Sequence, residues 1–146
     1  MRRVLRWPLA VLGVLWALPN TLVGVIAGAL AMPFGARAHW SRRDCALVFH
    51  SFPWGPGGAI TFGNSILHTG ASLDTPCKPY LSPEEGCTLA PIRIGDHERA
   101  HVFQYMVLGP LFLPVYLLCG GVSVRNPFER AADRYALTGK GWWPGG

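Results

Sequence analysis

The sequence is poor in charged residues and in cysteine. Charged residues make up 14% of the 146 residues, whereas hydrophobic residues make up 50%, and an average soluble domain has about 25% charged residues. This composition is a poor fit to a disordered chain, a collagen-like fibre or an ordinary soluble enzyme. Four cysteines are too few for a disulfide-dense secreted scaffold. The chain also lacks a C-x-x-C pair, a glycine-rich phosphate loop and a nucleic-acid-binding motif.

The basic residues are concentrated around one long apolar run. The formal net charge is +5, with arginines in residues 1–6 before the run and in residues 37–43 after it. Positive charges in this arrangement are typical of a membrane span and not of a DNA-binding face. We therefore expect the lipid bilayer as a partner and no nucleic acid.

No charged residue occurs from Trp7 to Ala36, and about 20 apolar residues suffice to cross a bilayer core. We predict a retained N-terminal anchor within residues 1–40, kinked or split at Pro19, followed by a membrane-associated domain over residues 41–146. The alternative is a signal peptide, although its apolar region is normally only about 7–15 residues long. The short arginine-rich N-terminus favours a cytoplasmic start, which places the rest of the chain on the outer face.

The remainder of the chain predicts one strand and two helices. Residues Ala59–His68 are rich in β-formers and are bounded by turn residues, which is typical of a strand. Residues 69–91 predict a loop that contains Cys77 and Cys87, either as a disulfide or as two thiols. Helices are predicted over 97–108 and, beginning at Asn126-Pro127, to about residue 137.

Residues His97 to His101 form an H-E-x-x-H motif. Positions four apart share one face of a helix, so both imidazoles can point at one ion, and neutral imidazole is a good zinc ligand. Glu98 lies further round the helix, where it can reach a water at the metal and act as a general base. The alternative is a pair of ordinary histidines on a polar helix face.

A second motif, E-x-x-x-D, begins at Glu129, 28 residues after His101. Catalytic zinc takes three protein ligands and leaves one position open, and Glu129 is the candidate for the third ligand. Asp133 lies one turn later and can accept a hydrogen bond from the far nitrogen of a ligand histidine, which fixes the orientation of that ring. Taken alone, the two carboxylates are more typical of a solvated helix face.

H-E-x-x-H followed by E-x-x-A-D-x-x-A over 129–136 resembles the gluzincin metallopeptidases. The membrane-embedded heat-shock, CAAX-processing and antirepressor peptidases are the most similar kind. Gln104 and the Leu-Gly-Pro-Leu stretch at 108–111 increase the similarity to small bacterial membrane proteins. The resemblance covers roughly residues 59–137 and is specific only at 97–111 and 126–136.

The resemblance implies a role for each matching residue. His97, His101 and Glu129 would be Zn²⁺ ligands, Glu98 the general base and Asp133 the residue that orients a ligand. It also implies an edge strand above the active-site helix that holds an extended substrate, for which residues 59–67 are the candidate. The chain lacks most of the transmembrane helices of the larger families.

Residues 102–124 are mostly apolar and allow two geometries. If they crossed the bilayer, Glu129 would end about 30 Å from His101 and could not be a ligand. Breaks at Gly109-Pro110 and Gly120-Gly121 favour a re-entrant or surface hairpin instead. The predicted fold is therefore α+β and mainly helical, with an N-terminal transmembrane helix and a small zincin-like unit. That unit comprises the edge strand, the H-E-x-x-H helix, the apolar re-entrant hairpin and the E-x-x-x-D helix.

Two further residues, His68 and Tyr135, are candidates to stabilise the oxyanion of a tetrahedral intermediate, with plain packing as the alternative. The sequence as a whole predicts a zinc metallopeptidase of the bacterial inner membrane, with most of the chain on the periplasmic side. Its substrate would be a peptide or protein. The alternative is a non-catalytic membrane protein that retains a zincin-like fold for structure or partner binding.

Overall fold

The computed structural model describes residues 6–79 and 90–145, and this part of the chain has the predicted α+β fold. Cys87 of the predicted pair lies outside the described residues. The helices are α1 (Arg6–Trp16), α2 (Leu18–Ala31), α3 (Ile94–Leu108), α4 (Phe112–Leu118) and α5 (Pro127–Thr138), with 3₁₀ turns at Met32–Phe34 and Gly109–Leu111. The strands are β1 (Arg37–Ser41), β2 (Ala46–His50), β3 (Ala59–Phe62), β4 (Ser65–His68), β5 (Pro76–Cys77) and β6 (Ile92–Arg93).

Four strands form the main sheet, in the order β1-β2-β4-β3. The β2–β4 pair is parallel, whereas β1–β2 and β3–β4 are antiparallel. The prediction of one strand over 59–68 was wrong, because the two-residue turn Gly63-Asn64 splits it into a hairpin, and Gly63 has a φ of +59°. Of the two hairpin strands, β3 lies at an edge of the sheet and β4 lies inside it. Strands β5 and β6 form a separate small ladder, and β5 interrupts the predicted loop over 69–91.

Two helices cover opposite faces of the sheet. Val48 and Ile66 point to one face and pack with Val102 of α3 in a buried apolar core. Phe49 points to the opposite face, as the alternation of side chains along a strand requires. There it lies so close to Gly28 of α2 that a Cβ on this glycine would come within 2.4 Å of the phenyl ring. The order of layers is therefore α2, sheet, α3.

The N-terminal apolar segment forms two helices, in agreement with the predicted kink or split at Pro19. Helices α1 and α2 meet at Ala17 with a bend of 65°. Pro19 lies in the first turn of α2, where its missing N–H is tolerated but where it cannot continue α1. The Nδ2 group of Asn20 donates a 3.0 Å hydrogen bond to the carbonyl of Gly109. This bond ties the N-terminal segment to the end of α3.

By length and composition, one described helical run, Ile94–Leu118, suffices to cross a membrane, and the bent α1–α2 pair passes the same test only when taken together. This run includes α3, one side of which faces the core, and 39% of its most apolar stretch is buried inside the protein. The same run therefore also has the character of a core helix. Large apolar side chains of α1 and α2 are exposed, among them Trp7, Leu12, Val23, Ile26 and Leu30.

The chain reverses direction after α3. In a straight helix, His101 and Tyr116 would be separated by about 22 Å along the axis, but their rings lie 6.1 Å apart. Gly109 permits the turn with a φ of +54°. Helix α5 then begins at Asn126, whose side chain accepts a 2.9 Å hydrogen bond from the Phe128 amide. The predicted return of the chain to His101 is confirmed.

Candidate metal centre

Three side chains from α3 and α5 converge in the protein interior. His97 and His101 are one helical turn apart on α3, so they project from the same face. Glu129 lies in the first turn of α5, which packs against that face. All three residues are buried, with between 4% and 7% of their surface exposed.

The three potential ligand atoms lie close together. The Nε2 atoms of His97 and His101 are 3.2 Å apart, and Oε2 of Glu129 lies 3.0 Å from the first and 3.5 Å from the second. A tetrahedral zinc ion with Zn–N bonds of about 2.0–2.1 Å separates two of its ligand atoms by about 3.3 Å. The buried group can therefore hold a metal ion with little movement of its side chains.

Both imidazoles are oriented by a partner at the other ring nitrogen. Nδ1 of His97 lies 2.9 Å from Oδ1 of Asp133. Nδ1 of His101 lies 2.8 Å from Oε1 of Gln104, whose amide group in turn donates a 2.8 Å hydrogen bond to the Trp142 carbonyl. An oxygen acceptor at Nδ1 places the proton there and leaves the Nε2 lone pair for a metal. The orienting role predicted for Asp133 thus fits its position.

The carboxylate of Glu129 is held by a third element. The phenol of Tyr116 on α4 donates a hydrogen bond to Oε1, the oxygen that does not face the histidines. Burial raises the pKa of Glu129, but hydrogen bonds and charge from His101 and His97 outweigh burial, and the pKa lies below its usual range. A lowered pKa favours the ionised carboxylate, which is the form that binds a metal.

Glu98 is buried beside the cluster and contacts the edge strand. The hydroxyl group of Thr61 on β3 donates a 2.6 Å hydrogen bond to Oε2 of Glu98. Sequence pattern places the glutamate on α3, but only the packing of β3 on α3 brings a hydroxyl to it. A carboxylate held in this way has one oxygen anchored and one available to a proton.

A cavity of about 580 Å³ connects these groups. His97, Glu98, His101 and Glu129 all contribute to its wall, so the ligand cluster and the carboxylate of Glu98 face the same space. The rest of the wall is largely apolar and comes from β3, the loop over 51–58 and α4, including Trp54, Ile60, Phe62, Phe112 and Leu113.

The structure does not bring the two predicted oxyanion stabilisers to this cavity wall. His68 is buried on β4, where its Nδ1 lies 3.3 Å from Nδ1 of His50. Tyr135 lies on the outer side of α5, where its ring packs on Phe103 and under the guanidinium of Arg99. Both positions agree with the alternative of plain packing, because each ring makes its contacts away from the cavity wall.

Sequence reasoning missed Tyr116 and Thr61. Tyr116 lies in an apolar run, and a tyrosine hydroxyl in such a run requires a polar partner, so the residue type contained a signal. Thr61 gave no signal of its own, because threonine is simply a common strand residue. Gln104 was noticed only through the family resemblance, and the structure gives it a contact with His101.

No protein-family model, no curated protein and no solved structure matches this chain. The interpretation of the site therefore depends on its own residues, distances and burial.

Proposed function

We propose that this chain is a membrane-associated zinc metallopeptidase of the gluzincin type. The observation that carries the proposal is the meeting of Glu129 with His97 and His101, because these residues come from two helices and have no local reason to converge. The same cavity wall contains Glu98, the residue that the motif assigns to proton transfer. A ligand cluster without such a carboxylate would indicate a structural metal.

The donor set suits zinc chemically. Two imidazole nitrogens and one carboxylate oxygen form a known catalytic zinc set that leaves one position open. When bound, zinc supplies Lewis-acid polarisation of a carbonyl oxygen and lowers the pKa of a water. His97, His101 and Glu129 would hold the ion, while Asp133 keeps the ring of His97 in place.

The remaining steps belong to side chains of this protein. Glu98 accepts a proton from the attacking water and passes it to the amine that leaves as the peptide bond breaks. Thr61 keeps one oxygen of that carboxylate in a fixed position. Among the described residues, no strand pairs with the edge of β3 that faces away from β4, so an extended peptide can add there as a further strand beside the cavity.

Exposed apolar surface supports the association with a membrane. Leu22, Ile26 and Leu30 on α2 are each at least 50% exposed, and Trp7 and Leu12 extend the apolar surface onto α1. A soluble monomer rarely exposes a large contiguous apolar patch. We infer that these helices face lipid, and that the periplasmic placement predicted from the arginines applies to the domain behind them.

The test measures zinc content and hydrolysis on detergent-purified, tag-free protein. We expect His101→Ala and Glu129→Gln each to lose one equivalent of zinc per chain relative to wild type, as measured by mass spectrometry. Glu98→Gln should retain that zinc and lose hydrolysis of a fluorogenic peptide library by at least a hundredfold. Asp74→Asn, an equivalent change of an exposed carboxylate that does not line the cavity, is the matched control.

Each part of the proposal can fail separately. If neither ligand variant contains less zinc than the wild-type protein, the metal centre is contradicted. A zinc-bound wild type whose hydrolysis equals that of Glu98→Gln would contradict the peptidase. That second outcome would favour the non-catalytic alternative, in which the metal stabilises a partner-binding fold.

A further inference from the structure

Three histidines that the proposed peptidase does not use lie in a row on the main sheet. Strands β2 and β4 are parallel with Phe49 opposite Leu67, so the following residues, His50 and His68, stand side by side. Strand β1 pairs with β2 in a register that places His39 diagonally next to His50. By the alternation of side chains, all three point to the face that packs against α3.

The central pair already has the spacing of two ligands of one metal ion. The Nδ1 atoms of His50 and His68 are 3.3 Å apart, and the two ring planes stand at 78° to each other. A tetrahedral zinc ion separates two ligand nitrogens by about 3.3 Å, so these two can bind one ion without movement of the strands. His68 is 3% exposed, which restricts the freedom of its ring.

The third histidine can complete the set. The ring of His39 stacks on that of His50 with a centroid distance of 4.8 Å and an angle of 10°. His39 is exposed, and exposed side chains change rotamer within nanoseconds. Its imidazole is therefore available as a further ligand, with water at the remaining positions.

We propose that His39, His50 and His68 form a second metal site, which takes a divalent transition metal that prefers imidazole, such as Zn²⁺ or Cu²⁺. Imidazole ligands select these ions over Mg²⁺ and Ca²⁺, which prefer oxygen. This site is separate from the proposed catalytic centre and does not depend on it.

An ion at this site would stiffen one wall of the cavity. It would join β1, β2 and β4 at the point where the loop over 51–58 begins. The amides of Ser51 and Phe52 donate hydrogen bonds of 2.9 Å to the carbonyls of Gly70 and His68, so the loop is anchored on the same strand end. That loop contributes Phe52 and Trp54 to the cavity wall.

The decisive experiment removes the catalytic centre first. Tag-free His101→Ala/Glu129→Gln protein is stripped with chelator and titrated with Zn²⁺ and, separately, with Cu²⁺ by calorimetry. We expect one metal ion to bind per chain. Binding should be lost when His68→Asn is added, and the affinity should fall at least tenfold when His39→Asn is added. Mg²⁺ should give no heat of binding.

Two results would overturn the second site. One is that the variant without the catalytic ligands binds no metal ion. The other is that this variant still binds one metal ion per chain after His68→Asn is added. Should the double variant not fold, wild-type protein is compared with His68→Asn, and the expected change is from two bound zinc ions to one. An unchanged metal content in that comparison would likewise overturn the proposal.

Discussion

The hydroxyl group of Thr61 donates a 2.6 Å hydrogen bond to Oε2 of Glu98, and both side chains are buried. This bond connects the edge strand β3 to the helix that carries the H-E-x-x-H motif. It holds the proposed general base in one orientation beside the strand on which we expect the substrate to bind.

We predict that Thr61→Val lowers kcat by roughly tenfold and leaves KM near the wild-type value. A hydrogen bond to a charged group contributes about 1.5–3 kcal/mol, and its loss lets the carboxylate of Glu98 leave its position. Thr61→Ser keeps the hydroxyl and should restore most of the activity. Steady-state kinetics on the same peptide substrate measures all three proteins, and equal losses in the valine and serine variants would count against a positioning role.

The bond between Tyr116 and Glu129 gives a prediction about zinc affinity. Tyr116→Phe removes the donor to Oε1 and leaves the carboxylate less well oriented, so we expect zinc affinity to fall roughly tenfold. Competition with a chromophoric chelator measures this affinity. Tyr135→Phe is the matched control, since this phenol lies away from the cavity on the outer side of α5. A similar fall in both variants would contradict the contact.

The close packing of α2 on the sheet predicts that Gly28→Ala is destabilising. A Cβ at this position would lie 2.4 Å from ring carbons of Phe49, and such overpacking costs about 1–3 kcal/mol. This cost outweighs the gain of up to about 1 kcal/mol from the helix propensity of alanine. Ala29→Leu, at an exposed position of the same helix, should leave the free energy of unfolding in detergent unchanged. A stabilised Gly28→Ala variant would show that α2 does not pack on the sheet.

Arg93 at the start of α3 gives a prediction about stability. Its guanidinium forms ion pairs with the buried Asp44 at 3.0 Å, with Asp74 at 2.6 Å and with Asp96 at 3.3 Å. Arg93→Met leaves the buried carboxylate of Asp44 without its partner, which we expect to cost about 3 kcal/mol. Denaturant unfolding measures the change, with the exposed Lys140→Met as control. If Arg93→Met lowers the free energy of unfolding no more than the control does, the ion-pair network contributes little to stability.

The same network predicts a dependence on pH. The hydrogen bond from Arg93 holds the pKa of Asp74 below its ordinary value of 3.8. A depressed folded-state pKa means that this stabilisation is present above about pH 4 and is lost as the pH falls below it. The free energy of unfolding between pH 5 and pH 3 should therefore fall less steeply in Arg93→Met than in wild type. Parallel curves for the two proteins would contradict this contribution.

Local rules predicted those parts of the site that lie within single helices. The spacing of His97 and His101 places both imidazoles on one face of any α-helix, whatever the rest of the fold does. Helix α5 was predicted to begin at Asn126-Pro127, because a proline in the first turn of a helix acts on neighbouring residues only. The hairpin was predicted from its glycine and proline breaks for the same reason.

Local rules were less successful where contacts cross between elements. The turn at Gly63-Asn64 contains a recognisable two-residue hairpin signal, but the β-forming residues on either side of it were combined into one strand. Pro19 predicted a break in the apolar run over 7–36, but only the structure shows the packing of Gly28 on Phe49. Hydropathy records how apolar a segment is and contains nothing about which neighbour it packs against.

The sequence by itself determined the ligand types, the helical spacing of the two histidines and the identity of the candidate base, since these depend on residue chemistry and on a period of 3.6. The tertiary structure decided that Glu129 meets His97, that Tyr116 and Thr61 each hold a carboxylate, and that three histidines align across the sheet. These relationships join residues from 11 to 37 positions apart. Contacts at such separations arise only when strands and helices pack, because packing, and not the local backbone, decides which side chains become neighbours.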